Sequence, residues 1–118
     1  MSSRPRDIEK RTFDFAVSVV KLVNSVPRTL PGGIIARQML RAGTSIGANV
    51  EEAQGAQSKR EFSRRMNIAR SEAREVLYWL RLVAAAEVLP AESLRDLIKE
   101  ADELVSILTA IVKRSREV

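Results

Sequence analysis

Residues Ser58–Val83 read SKREFSRRMNIARSEAREVLYWLRLV, and this run decides the fold. Phe62, Met66, Ala69, Ala73, Val76, Leu80 and Val83 stand four and three apart without a break, which places all seven on one face of an α-helix. Sustained alternation of the kind a strand needs occurs nowhere in the chain. Ahead of the seam, Ser58-Lys59-Arg60-Glu61 has the form of a capping box. In such a box the serine hydroxyl and the glutamate carboxylate satisfy each other's orphan backbone N–H groups. The pattern predicts a helix over about residues 59–86.

The same periodicity extends in both directions from this helix. Downstream, Pro90 ends or restarts the chain, and Leu94, Leu97, Ala101, Leu104, Leu108 and Ile111 form the seam of a helix over about 91–114. Upstream, Ile35, Met39, Ala42, Ile46, Val50 and Ala53 form the seam of a helix from about Gly33 to Ala53. Gly43 and Gly47 lie inside it, where each costs up to about 1 kcal/mol relative to alanine. Two such residues within five suggest close helix packing or contact with a partner. The first helix is expected from about Arg6 to Ser25, with Phe13, Ala16, Val20 and Val23 as its apolar stripe and Phe15, Val19 and Leu22 widening it. All three phenylalanines read as core. Pro27, Pro31, Gly32 and Gly33 break the chain after it, and Gly32-Gly33 reads as a turn. Short connections make consecutive helices antiparallel neighbours. The fold expected is all-α, a single antiparallel up-down-up-down four-helix bundle spanning residues 1–118.

A chain of 118 residues is one domain long and buries about two-thirds of its unfolded surface without a staple. Cysteine and histidine are both absent, which excludes disulfides, thiolate zinc sites, cysteine nucleophiles and the commonest general base. Four-helix bundles often carry di-iron sites built from Glu and Glu-x-x-His. Glu51, Glu52, Glu72 and Glu75 supply carboxylates, but without histidine the ligand set is incomplete, so no metal and no cofactor is expected. Gly32-Gly33 lacks the Lys-Ser/Thr of a phosphate loop. The segment Met1–Lys10 is polar and charged, unlike a secretory signal, and no apolar run approaches the roughly 20 residues that span a bilayer. No membrane contact is expected, and a cytoplasmic location follows by default.

Charge is the most informative feature beyond the helices. Lys and Arg number 20 against 15 Asp and Glu, a net +5 with a pI near 10.2. Most of the cations are arginines, whose forked donors suit phosphate and carboxylate. From Phe15 to Val50 there is no acid, while Glu87–Glu103 holds six acids against Arg95 and Lys99. The third helix is basic at its start, with Lys59, Arg60, Arg64, Arg65, Arg70 and Arg74. Arg60 and Arg64 are four apart, as are Arg70 and Arg74, and like charges at that spacing repel. A solvated face, local pairing with Glu72 and Glu75, an acidic face of another subunit, or nucleic-acid phosphates would each relieve them. The candidate nucleic-acid contacts are Arg37, Arg41, Arg60, Arg64, Arg65, Arg70 and Arg74. Tyr78 and Trp79 are the remaining aromatics, so reading of single strands by stacking is disfavoured and backbone-dominated binding is favoured. Ser45, Asn49 and Glu52 form a polar row four and three apart on the second helix. It reads as a hydrogen-bonded layer or oligomer contact in preference to a catalytic set.

The stretch Ala36–Ala53 (ARQMLRAGTSIGANVEEA), followed by Gln57–Phe62 (QSKREF) and Asn67–Glu75 (NIARSEARE), resembles the 23S rRNA intervening-sequence proteins, also called the four-helix bundle protein family. The match runs from Phe13 into the fourth helix, and the order Ser45, Gly47, Asn49, Glu52 ahead of Glu61-Phe62 is specific. The resemblance implies a bacterial cytoplasmic protein that assembles as a ring-like homopentamer. Some members of that family are encoded within insertions in large-subunit rRNA genes. A similar fold occurs in the accessory variability proteins of diversity-generating retroelements, basic pentameric barrels that bind nucleic acid and a reverse transcriptase. The function expected is a non-enzymatic homo-oligomer that binds RNA or DNA through backbone charge, as an accessory to another protein. The alternative is a structural or protein-binding scaffold that ignores nucleic acid.

Overall fold

The computed structural model describes residues 5–116, and four helices hold most of them: α1 (Pro5–Val23), α2 (Leu30–Gln54), α3 (Lys59–Ala85) and α4 (Ala91–Ser115). Of the charged N-terminal segment, Met1–Arg4 lies outside the described residues. Neighbours in sequence pack antiparallel, α3 lies between α2 and α4, and α1 covers α2 while touching α4 only lightly. The chain is an all-α, up-down-up-down four-helix bundle of about 47 × 26 × 19 Å. Among the described residues no helix is long and apolar enough to cross a membrane.

The seam of α3 forms the spine of the core. Met66, Ala69, Ala73, Val76, Leu80 and Val83 are buried, and Phe62 packs at the edge. Met39, Ala42, Ile46, Val50 and Ala53 of α2 face it, with Ile35 half-buried. On α4, Leu94, Ala101, Leu104 and Leu108 are buried, and Val112 takes the deep position expected of Ile111. Removing such side chains from water stabilises the fold by about 1.5–3 kcal/mol for each large one.

The first helix is turned about its axis by roughly a quarter turn from the expected stripe, so that the residues read as widening that stripe form its buried face. Phe15 and Val19 are buried, Leu22 and Val23 pack against them, and Phe13 and Val20 are 66% and 44% exposed. The reason lies in α2. A Cβ on Gly43 would sit 2.9 Å from both methyls of Val19, and one on Gly47 would sit 3.3 Å from the Thr12 carbonyl oxygen. The two glycines therefore form a groove in which the Thr12–Val19 face of α1 nests. Thr12 is fully buried, and its hydroxyl donates to the Ile8 carbonyl at 2.8 Å, so the burial leaves no orphan.

Helix ends also differ from expectation in instructive ways. The second helix starts at Leu30, with Gly32 and Gly33 inside its first turn instead of in a turn before it. Thr29 caps it by accepting from the Gly32 N–H at 3.1 Å, and Pro31 sits near the N-terminus, where its missing N–H costs nothing. Ser58 likewise accepts from the Glu61 N–H at 3.0 Å. The reciprocal half of the capping box does not form, because the Glu61 carboxylate turns outward to Arg64 and Arg65. After α3, Glu87 adopts φ 59°, Val88 N–H donates to the Val83 carbonyl and Glu87 N–H to that of Ala84. These are the bonds of a Schellman stop, in which the left-handed position usually holds glycine.

Candidate nucleic-acid interface

The seven candidate arginines fall on three surfaces. Arg41 reaches from α2 to α3, where Nη1 donates to Glu72 Oε1 at 3.1 Å and Nη2 bonds to Glu75 Oε2. The same Glu75 oxygen accepts from the Trp79 indole N–H at 3.1 Å. The Arg41 guanidinium, and after it this N–H, hold the Glu75 carboxyl below its ordinary value, because both favour the charged form. Arg65 bridges the opposite way, from α3 to α2: Nη1 donates to Asn49 Oδ1 at 3.1 Å, while Nε donates to Glu61 Oε2 on its own helix at 3.2 Å. Arg70 is half-buried, with an Nε shielded from solvent and unpartnered among the described residues. Arg41 and Arg65 thus act first as links between α2 and α3.

The polar row on α2 is divided by the same contacts. Asn49 Nδ2 donates to the Ser45 carbonyl at 2.9 Å while its Oδ1 receives Arg65, so Asn49 joins the two helices. The Ser45 hydroxyl turns back to the Arg41 carbonyl at 2.7 Å. Glu52 is exposed and bonds to neither. No nucleophile and base converge in this row. Glu72 and Glu75, the carboxylates nearest to a paired site, are both engaged by Arg41.

Arg60, Arg64 and Arg74 share the outer face of α3 and are exposed. Arg64 forms one ion pair, with Glu61 at 3.0 Å, and its side chain remains 55% exposed. Arg60 and Arg74 form none among the described residues. The four-three spacing that buries the seam continues on the opposite side through Arg60, Arg64, Asn67, Ser71, Arg74, Tyr78 and Arg81. Arg81, exposed and unpaired among the described residues, completes the stripe, and sequence reasoning missed it. The signal was available in that spacing, three residues beyond Tyr78. At 1.5 Å per residue the stripe from Arg60 to Arg81 is about 32 Å long. Arg37 stands apart on α2, exposed, one turn before Arg41.

A second unpartnered surface lies across the molecule. Phe13, Val17 and Val20 stand four and three apart on the outer face of α1 and are exposed. Leu40, 38% exposed, lies on the edge of α2 that carries Gly43 and Gly47 toward α1. On the far side of α1, Arg11 ties that helix to α4 through Glu100 at 2.6 Å and Glu103 at 2.8 Å. The Glu100 carboxylate, followed by Glu103, raises the Arg11 guanidinium well above its ordinary range.

Residues 5–110 match the family described as 23S rRNA-intervening sequence protein. The chain belongs to this family. Its fold is similar to the crystal structure of a protein of unknown function from the S23 ribosomal protein family of Bacteroides thetaiotaomicron. The TM-score is 0.85 and the identity 34%, over 92% of this chain and 97% of that one. No curated protein matches the sequence. Membership and the structural match agree with the four-helix fold, and the family description carries no activity.

Proposed function

We propose that this chain is a cytoplasmic, non-enzymatic, self-associating helical bundle that binds nucleic acid through the phosphate backbone along the outer stripe of α3. The observation that carries the reading is the stripe itself. Four arginines project from one helix face about 32 Å long, and three of them lack an ion-pair partner among the described residues. Guanidinium groups at that spacing suit a run of phosphates, and each phosphate neutralised releases condensed counterions. The apolar edge of Phe13, Val17, Val20 and Leu40 supplies the self-associating surface, which would align stripes from several copies. The subunit number implied by family membership is five.

Reversing Arg60 and Arg74 to glutamate tests the reading. Binding of RNA or duplex DNA should fall by at least tenfold at moderate salt, with the helix content unchanged. The second reading, a scaffold indifferent to nucleic acid, is favoured by Arg41 and Arg65, which are held by carboxylates and Asn49 within the bundle. Light scattering coupled to size exclusion, with and without added RNA, separates the two. Co-elution of nucleic acid with the oligomer supports binding, and an unchanged oligomer supports the scaffold.

A further inference from the structure

We infer that Tyr78 is a stacking platform for an unpaired base, which makes the α3 stripe selective for single-stranded over duplex nucleic acid; this rests on the nucleic-acid reading of the same stripe. Tyr78 is 58% exposed on the outer face of α3, one turn after Arg74 and one turn before Arg81. Its ring is braced by Trp79 in an edge-to-face contact, centroids 5.3 Å apart and planes at 74°. Trp79 is itself held, because its indole N–H donates to Glu75, which Arg41 fixes from α2. An exposed aromatic ring therefore stands on a supported mount between two available cations. A base stacked on it would have its flanking phosphates one helical turn away on either side, within reach of the two guanidinium groups.

The surroundings favour a nucleotide over a protein as the occupant. The other large exposed apolar side chains, Phe13, Val17, Val20, Leu30, Ile34 and Leu40, all lie on α1 and α2. Tyr78 is alone on α3, among arginines, outside any apolar patch that a second chain would cover. A base needs one π-face and nearby positive charge, and stacking on a side chain is tolerant of sequence. The expectation from sequence that stacking is disfavoured counted aromatics; it did not follow the spacing that puts Tyr78 on the arginine stripe, and it could not show that the ring is exposed and braced by Trp79.

The test compares the full-length protein with its Tyr78→Ala and Tyr78→Phe variants. Fluorescence anisotropy is read on a labelled single-stranded RNA and on a perfectly paired duplex of the same length, at matched salt. Tyr78→Ala should weaken single-strand binding by roughly fivefold to a hundredfold. It should leave duplex binding and the slope of affinity against salt unchanged, and Tyr78→Phe should bind like wild type. Equal affinity of wild type and Tyr78→Ala for the single strand would overturn the platform while leaving backbone binding intact. An equal loss on both substrates would also overturn it, as would a change of oligomeric state in Tyr78→Ala. Absence of binding by wild type to either substrate would overturn the nucleic-acid reading and the platform with it.

Discussion

Gly43 sets the position of α1, because the groove it forms with Gly47 accepts only a close-fitting partner. Val19 is β-branched and fully buried, so its methyls cannot rotate away from a new Cβ placed 2.9 Å from each. Gly43→Ala gains helix propensity but overpacks this contact, and the expected net loss is about 1–2 kcal/mol in urea unfolding. Gly33→Ala meets nothing within 4 Å and should instead gain roughly 0.5–1 kcal/mol. At Glu75 the relevant variable is pH. Its folded carboxyl lies below the unfolded value of 4.5, so its stabilising contribution is complete above that value and is lost as pH falls through the folded one. Wild type should be more stable than Glu75→Gln at about pH 7, and the gap should close as the pH falls through the lowered folded value. Fluorescence of Trp79, the single tryptophan, reports both melts. A gap independent of pH would show that the Arg41–Glu75–Trp79 contacts do not act through charge.

The helices differ in how plainly their sequences state their placement. In α3 one unbroken apolar seam faces a side rich in arginine and polar residues, so periodicity has a single solution. In α1 two apolar stripes compete, Phe13-Val17-Val20 and Phe15-Val19, and spacing alone cannot choose between them. The glycines of α2 choose, which is information carried on another helix. The links from Arg41 to Glu72 and Glu75 were equally illegible in direction, since 31 and 34 residues separate the partners and only the packed register brings them together. The stop after α3 carries no turn residue at all. Glu87 occupies a left-handed position that costs a side chain about 1 kcal/mol or more, so Glu87→Gly should raise stability by about 1 kcal/mol. Equilibrium denaturation that shows no gain would mean that the Glu87 side chain makes a compensating interaction.

At the scale of the whole molecule the two available surfaces lie on different helices and have different chemistry. The α1–α2 edge is apolar and free of acids over Phe15–Val50, while the outer face of α3 is a row of cations. Replacing Phe13 by Glu should shift the proposed assembly to monomer by light scattering, with circular dichroism unchanged, because Phe13 is 66% exposed within the isolated bundle. An unaltered oligomer would move the self-contact to another face. Assembly and nucleic-acid binding are then separable: a Phe13→Glu monomer retains one stripe and forfeits the avidity of many.

The most direct test of the account is the salt dependence of RNA binding by wild type and by the Arg60→Glu, Arg74→Glu double variant. Each phosphate left without its arginine should flatten the slope of log affinity against log salt by about 0.7–0.9. The account predicts a steep slope for wild type, weaker binding by the variant, and a slope shallower by the equivalent of about two phosphates per stripe. Parallel lines of equal affinity would contradict it, because the α3 stripe would then face solvent or protein and not phosphate.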